Sequence, residues 1–350
     1  MIKVSAPGKV HLTSAHIVVY GKPAILCSVN LRITSSIANQ INNNRITIKS
    51  NFLDQEIITT SKEAVACAKE AKKSWEDYVF TNDISKIKPL TKPMNFLQII
   101  IGETLLYLDK KLSNVHIEIK SEVPVGANFG GSASLSASLC GAIFRYYKKD
   151  LNKDEIYQIV YETEKRVHGN PSGGDPAVVI YGGIIWFRKE TEFLKLFKRL
   201  SFTNFPEFII VNSGKPEEST GEMVHLVRKL VNKRPKYVCK IFQKMEELKK
   251  KFIVALEENN KNKMIGIMRK DTRFLIKLGV VSESTKQIIK ELEAMGFGVS
   301  VSGACGKKSG SGALILLGQD VKSAIAYCNN KKLQYHKVSF QTDGIREENE

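Results

Sequence analysis

The chain has 350 residues, of which 43% are hydrophobic and 25% are charged. This composition is typical of a globular protein with about two domains, and it excludes an intrinsically disordered chain. No run of the sequence approaches the roughly 20 apolar residues of a membrane-spanning helix, so we expect no membrane partner.

The net charge of +17 is compatible with two interpretations. A basic surface is typical of nucleic-acid-binding proteins. However, many lysines lie on predicted helices beside Glu246 and Glu247, without the aromatic residues that a stacking platform requires. We therefore favour a solvated, lysine-rich surface that attracts anionic substrates, and we expect no nucleic-acid partner.

The six cysteines are widely spaced, with no CxxC pair and no cluster with histidines. This spacing favours free thiols in a reducing cytosol over disulfide bonds or a zinc site. The N-terminus runs directly into a predicted strand, so we expect no signal peptide and a cytoplasmic location.

The first half of the chain alternates predicted strands and helices. Leu135, Leu139 and Ile143 have helical spacing, and Ser61 is the predicted cap of an earlier helix. Two short apolar runs around Gly182-Gly183 predict a β-hairpin. In chain order, the predictions are strands 2–12, 26–37 and 45–50, helices 61–79 and 94–108, strand 115–119, helices 132–147 and 154–168, and the hairpin 177–187.

The pattern changes after about residue 190. A strand is predicted at 208–212, long charged helices over 221–297, and a strand at 313–317 after a glycine-rich segment. A helix at 321–329 and a strand at 334–340 follow. We expect an α+β protein with domains 1–190 and 191–345 and a frayed tail, 346–350.

A glycine-rich segment from Pro124 to Ala133 joins a predicted strand to a predicted helix. Glycines permit close approach to a ligand, and a helix N-terminus stabilises phosphate. A tight turn in which Ser132 only caps the helix explains the segment equally well. The segment is not a Walker A loop, because the chain contains no GxxxxGK[ST] pattern.

A second segment runs from Glu164 to Asp175. Glu164 and His168 stand one helical turn apart, and a loop rich in glycine then presents Asp175 ahead of the predicted hairpin. A carboxylate held in this way suits a general base or a metal ligand. Taken alone, the segment is explained more simply by a turn-capping Asp175 and a solvated Glu164.

A third glycine-rich segment, from Ser302 to Gly312, enters the strand predicted at 313–317. Such glycine density next to a buried strand indicates close contact with a ligand or with another part of the backbone. A flexible surface loop that carries Lys307 and Lys308 is an equally good explanation.

These three segments, with Pro7-Gly8-Lys9-Val10 and the stretch from His16 to Ala24, resemble the GHMP kinase superfamily in order and separation. The resemblance spans essentially the whole chain. It implies a ribosomal-protein-S5-like N-terminal domain, a ferredoxin-like C-terminal domain and an active site in the cleft between them. It also implies an enzyme that uses ATP and Mg²⁺ to phosphorylate the hydroxyl of a small molecule.

The resemblance implies a role for each matching residue. Asp175 matches the catalytic aspartate, Lys9 matches the lysine that lowers the pKa of the acceptor hydroxyl, and Ser132 and Glu164 match the Mg²⁺ ligands. The residues implied to bind the ATP phosphates are Pro124, Gly126, Ala127, Asn128, Phe129, Gly130, Gly131, Ser132 and Ala133. Those implied to line the acceptor site are His16, Ser172, Gly303 and Ala304.

The chain departs from the superfamily pattern in three places. Ser14-Ala15 replaces a Gly-Glu pair, which removes a carboxylate that would orient Lys9 or the substrate. Asn128-Phe129 replaces Gly-Leu in the phosphate loop, and asparagine tolerates the left-handed conformation. The third segment has Cys305 in place of glycine and the extra residues 307–309, which we expect to extend a loop rather than to touch phosphate.

Because Lys9, Ser132, Glu164 and Asp175 are all present, we expect an active kinase. One alternative is another kinase of the same superfamily, which acts on a phosphorylated alcohol or on a different small alcohol. A catalytically silent ATP-binding protein and a nucleic-acid-binding protein are alternatives from other classes. Whether the chain forms a homodimer is left open.

Overall fold

The computed structural model describes residues 1–13, 16–41, 44–124, 128–189, 195–200, 205–340 and 342–349. The features predicted at Ser14, Ala15, Gly126 and Ala127, and the boundary at residue 190, lie outside these residues.

The strands form two sheets in which most neighbours are antiparallel. They are β1 (Ile2–His11), β2 (Ala24–Asn39), β3 (Ile46–Ser50), β4 (Ile57–Thr59), β5 (Val115–Ser121), β6 (Ile184–Lys189), β7 (Lys195–Leu200), β8 (Phe208–Asn212), β9 (Gly298–Val301), β10 (Ala313–Leu317), β11 (Tyr335–Val338) and β12 (Arg346–Glu347). Among the described residues, eight strands form the first sheet, in the order β12-β1-β2-β5-β3-β4 with β6 between β2 and β7. The second sheet has the order β11-β8-β10-β9. Only β3 and β5 pair in parallel among these described strands.

Along the chain, the helices lie between these strands. They are α1 (Ser61–Thr81), α2 (Pro93–Leu108), α3 (Gly131–Tyr146), α4 (Lys153–His168), α5 (Gly174–Tyr181), α6 (Thr220–Lys233), α7 (Pro235–Glu257), α8 (Lys261–Leu278), α9 (Glu283–Ala294) and α10 (Val321–Asn330). The cap of α1 is Thr60 rather than the predicted Ser61, because Thr60 and Glu63 form a reciprocal capping box.

The hairpin predicted for residues 177–187 is wrong in its first half. Residues 174–181 form helix α5, which begins after Gly173 in the left-handed conformation, and Asp175 lies in its first turn. Only the second half is a strand, β6, and it pairs with β2 and β7. A five-residue apolar run has too little length for its period to separate a buried helix from a strand.

A continuous apolar core joins the two sheets. Val10 and Ile33 of the first sheet belong to the same buried cluster as Ile210 and Ile315 of the second. A second cluster lies among the helices of the second sheet, and a smaller one lies beneath α1 and α2. Within the part of the chain that the structure describes, no helix combines the length and the apolar character needed to cross a membrane.

The predicted frayed tail is wrong for the described residues 346–349. Arg346 and Glu347 pair with Ser5 and Val4 of β1. The buried guanidinium of Arg32 donates hydrogen bonds to the carbonyls of residues 343 and 344, at 3.0 and 2.7 Å. These non-local bonds return the C-terminus to the first sheet, although its sequence is polar.

Candidate active site

The centre of the candidate site is an ion pair between Lys9 and Asp175. Lys9 lies on β1 and Asp175 in the first turn of α5, and Nζ of the lysine is 2.9 Å from Oδ2 of the aspartate. The lysine side chain is only 3% exposed, whereas the aspartate side chain is 31% exposed. The ammonium is therefore held inside the protein while the carboxylate faces open space.

The glycine-rich segment makes room for this lysine. Gly130 has a φ of 73°, and a Cβ atom at this position would lie 2.5 Å from Cγ of Lys9. The backbone N–H of Lys9 donates to the carbonyl of Phe129 at 2.8 Å, and Phe129 is itself buried. Glycine is needed at position 130 because any side chain would displace the lysine.

The charge state of Asp175 follows from its neighbours. Burial opposes ionisation, but the ammonium of Lys9 holds the pKa of this carboxyl below its usual value. Asp175 is therefore ionised at neutral pH and able to accept a proton.

His11 lies beside this pair, and the sequence analysis did not identify it. Its Nδ1 is 3.2 Å from Nζ of Lys9, and its Nε2 is 3.8 Å from Oδ1 of Asp175. A signal was available in the sequence, because residues two apart on a strand face the same side of a sheet. Lys9 and His11 have that spacing on β1.

Glu164 and Ser132 form a second polar group in the same cavity. Oε1 of Glu164 is buried and has no hydrogen-bond partner among the described residues, and Oε2 lies 3.7 Å from Nε2 of His168. Burial raises the pKa of the Glu164 carboxyl, against opposing effects of His168 and of a hydrogen bond with Ser132. An unsatisfied buried carboxylate oxygen is unfavourable unless a cation or a donor completes it.

This donor set fits a magnesium ion. Mg²⁺ prefers oxygen ligands and commonly takes one or two carboxylates together with water and substrate phosphates. No group of three or more His, Cys, Asp and Glu side chains within the described ranges is arranged to hold a metal by itself. A carboxylate and a hydroxyl therefore suit Mg²⁺ better than a zinc ion, which takes three or four protein ligands.

The described part of the glycine-rich segment from Pro124 to Ala133, which we call the phosphate segment, lies at the start of α3. Asn128 and Gly130 both have positive φ, at 63° and 73°, so asparagine does occupy the left-handed conformation. The N-cap of α3 is Gly130, which means that Ser132 is not the cap. Pro124 and the residues from Asn128 to Ser132 line the cavity, and Ala133 is buried behind them.

The third glycine-rich segment approaches the cavity from the second sheet. The carbonyl of Ala304 accepts a hydrogen bond from Nε2 of His16 at 2.9 Å. Burial lowers the pKa of His16 to about 4, so the ring is neutral and its Nδ1 carries no proton. Gly303 lies so close to Asn128 that a Cβ atom on the glycine would be 2.7 Å from Cβ of the asparagine.

Of the remaining predicted residues, some line the cavity and others do not. Ser172 lines it and accepts a hydrogen bond from the N–H of Gly174 at 3.1 Å. Cys305 also lines it. Lys307 and Lys308 are exposed and do not belong to its lining, and Lys308 lies 3.9 Å from Glu217. These two lysines extend a surface loop, as expected.

The cavity has a volume of about 820 Å³ and brings all of these groups together. Its lining includes the apolar residues Phe52, Leu53, Phe96 and Leu97 and polar residues that follow β8 and begin α6. This volume lies near the upper end of the range for ligand pockets, about 300–1,000 Å³. Asp175 is among the residues that line it.

Comparisons with known proteins indicate one kinase superfamily. Residues 99–183 match the family model of the GHMP kinase N-terminal domain. The mevalonate kinase of Pyrococcus furiosus is 29% identical over 308 residues, which cover 86% of each chain.

Two crystal structures share the fold over nearly the whole length. The mevalonate kinase of Methanococcus jannaschii has a TM-score of 0.78 at 23% identity and covers 97% of this chain and 98% of its own. The L. major mevalonate kinase, solved with R-mevalonate, has a TM-score of 0.73 at 19% identity, covering 98% of this chain and 96% of its own. The two-domain α+β fold expected from the sequence is therefore correct.

Proposed function

We propose that this chain, a GHMP kinase with an alcohol acceptor, phosphorylates mevalonate and uses ATP as the phosphoryl donor. The product is 5-phosphomevalonate, an intermediate of the mevalonate pathway of isoprenoid biosynthesis. The observation that carries the proposal is the Lys9–Asp175 pair, whose carboxylate lines the same cavity as Glu164, which has an unsatisfied buried oxygen. Similarity to mevalonate kinases over 86% of the chain supports the choice of acceptor.

Asp175 is the general base in this proposal. Lys9 occupies Oδ2, and Oδ1 is left to receive the proton of the acceptor hydroxyl, since His11 is too distant for a direct hydrogen bond. The hydroxyl oxygen attacks the γ-phosphorus, the bond from phosphorus to the β,γ-bridging oxygen breaks, and ADP leaves. Lys9 keeps its charge and stabilises the developing alkoxide and the anionic phosphates.

The phosphate segment and the Glu164 group hold the donor. Backbone N–H groups at the start of α3 would donate hydrogen bonds to the phosphate oxygens, and the helix dipole favours their charge. Ser132 and Glu164 would hold Mg²⁺, which when bound neutralises charge on the β- and γ-phosphates. We place the adenine ring against the apolar lining residues of the cavity, which exclude water.

The acceptor lies between His16, Ser172 and the third segment. Nδ1 of His16 accepts a hydrogen bond, since Nε2 is already engaged by the carbonyl of Ala304. Gly303 and Ala304 contribute backbone from the second sheet, so both parts of the chain contact the acceptor. We keep residues 1–190 as the ATP-binding domain and 191–345 as the second domain.

The test is phosphorylation of mevalonate by the purified protein with ATP and Mg²⁺. We expect ADP formation that depends on mevalonate, with the new phosphoryl group on the 5-hydroxyl by ³¹P NMR. A panel of acceptors distinguishes the alternatives: activity on phosphomevalonate alone identifies a sister kinase. No ADP with any acceptor identifies a silent ATP-binding protein and refutes the proposal.

A further inference from the structure

His11 has contacts that packing alone does not require. Its side chain is 5% exposed, and its ring lies beside both the ammonium of Lys9 and the carboxylate of Asp175. A buried imidazole needs hydrogen-bond partners, and here Nδ1 is bonded to the ammonium of Lys9 while the carboxylate of Asp175 lies 3.8 Å from Nε2.

The tautomer of this imidazole follows from Lys9. An ammonium group can only donate hydrogen bonds, so Nδ1 of His11 must accept and the ring proton must be on Nε2. Burial and the cations Lys9 and Lys249 lower the pKa of His11 to about 3, with His16 acting in the same direction and Asp175 opposing. The ring is therefore neutral at physiological pH.

The backbone of His11 is held from the second sheet. Its N–H donates to Oγ of Ser302 at 2.9 Å, and Ser302 is fully buried at the start of the third glycine-rich segment. His11 is thus held at its backbone N–H by Ser302 and at Nδ1 of its ring by Lys9.

Lys9 has three donors and a flexible stem, so its orientation needs more than one partner. Asp175 takes one donor at 2.9 Å and His11 takes a second at 3.2 Å. The third donor is then directed by the first two, and a misplacement of about 1 Å in such a group costs about 10²-fold in rate.

We infer that His11 is a positioning residue: its Nδ1 holds the ammonium of Lys9 against Oδ2 of Asp175, so that Oδ1 stays open for the acceptor hydroxyl. The expected effect of His11 on the rate rests on the proposed function. The expected tautomer of its ring rests on geometry alone. A side chain that merely filled space would need neither nitrogen.

The kinetic test compares three variants. His11→Leu removes both nitrogens, and we expect kcat to fall by about 10- to 100-fold while both KM values stay within about threefold. His11→Asn places its amide oxygen near the position of Nδ1 and should recover kcat to within about fivefold of wild type. His116→Leu, at a partly exposed histidine of β5, is the matched control and should leave kcat unchanged.

Two outcomes overturn the inference. One is a His11→Leu enzyme with wild-type kcat, and the other is a His11→Asn enzyme no better than His11→Leu when both have wild-type melting temperatures. If His11→Leu does not fold, the asparagine variant and the spectroscopic test below decide.

The spectroscopic test needs no substrate. Long-range ¹H–¹⁵N correlation at pH 7 should show His11 as the neutral Nε2–H tautomer, with its signal identified by its loss in His11→Asn. A proton on Nδ1, or on both nitrogens, refutes the inference even if mevalonate is phosphorylated. Conversely, the expected tautomer in a protein without kinase activity refutes only the proposed function.

Discussion

The Lys9–Asp175 pair and the Lys249–Asp271 pair have the same chemistry in different surroundings. Asp175 is 31% exposed to the cavity and lies 2.9 Å from its lysine. Lys249 of α7 and Asp271 of α8 are 3.8 Å apart, and both side chains are completely buried. Burial lowers the pKa of Lys249, and Asp271 opposes that effect.

The comparison teaches what makes a buried ion pair a candidate for catalysis. A sealed pair can only stabilise or destabilise the fold, and removal of one partner leaves an uncompensated charge. A pair that opens on a cavity can exchange a proton with a ligand. Solvent-facing geometry and the unsatisfied Glu164 distinguish the first pair, whereas residue type does not.

The largest expected effect is that of Asp175→Asn. The amide cannot accept the hydroxyl proton, so kcat should fall by about 10³-fold or more, since general bases contribute about 10²–10⁴-fold and the ion pair with Lys9 is also lost. The protein should stay folded but with a lower melting temperature, because the asparagine still faces the cavity whereas the buried ammonium of Lys9 loses the Asp175 charge. Coupled ADP detection and thermal unfolding measure the two effects, and full activity in the variant would discard the assigned mechanism.

Asp271→Asn should give the opposite pattern. It leaves the Lys249 ammonium buried without its counter-charge, and we expect the free energy of unfolding to fall by about 3–5 kcal/mol. The double variant Lys249→Met/Asp271→Leu should regain most of this loss. Denaturant unfolding gives the stability, and a kcat per folded molecule far below wild type would show that the two pairs are not separate in function.

Glu164→Gln should separate function from stability. Burial raises the pKa of Glu164, so ionisation of this group destabilises the native state as pH rises through the raised value. Without Mg²⁺, the variant should therefore be more stable than wild type by about 1–2 kcal/mol at pH 7, and the difference should shrink towards pH 4. Its Mg²⁺ requirement should rise. Equal stability at both pH values would contradict the unsatisfied carboxylate.

The smallest expected effect is at Cys305, in the third glycine-rich segment. It lines the cavity, and burial together with the charge of Asp271 raises the pKa of its thiol. Its φ of 61° is unfavourable by about 1–2 kcal/mol, which glycine would relieve at the loss of a buried sulfur. Cys305→Gly should change the free energy of unfolding by less than about 1 kcal/mol.

A matched variant checks this explanation. Cys305→Val adds a β-branched side chain at the same positive φ and should destabilise the protein by about 2 kcal/mol or more. If valine is tolerated as well as glycine, backbone strain at this position is not the reason that glycine is the more usual residue there.

Much of the molecule followed from sequence. The long amphipathic helix α4 was predicted within one residue, because its period is repeated several times, and the short strand β8 was predicted with its observed bounds. The motif residues Lys9, Ser132, Glu164 and Asp175 were named as one site, and all four line one cavity. Their catalytic roles stay predictions.

Other features were decided by tertiary structure. The sequence by itself placed a lysine at position 9 and an aspartate at position 175, each within a recognisable local motif. That α5 is a helix, that the polar C-terminal residues pair with β1, and that His11 contacts the reacting groups depend on residues distant in sequence. Local periodicity carries no record of such partners, because burial and pairing energies arise only when separate segments meet.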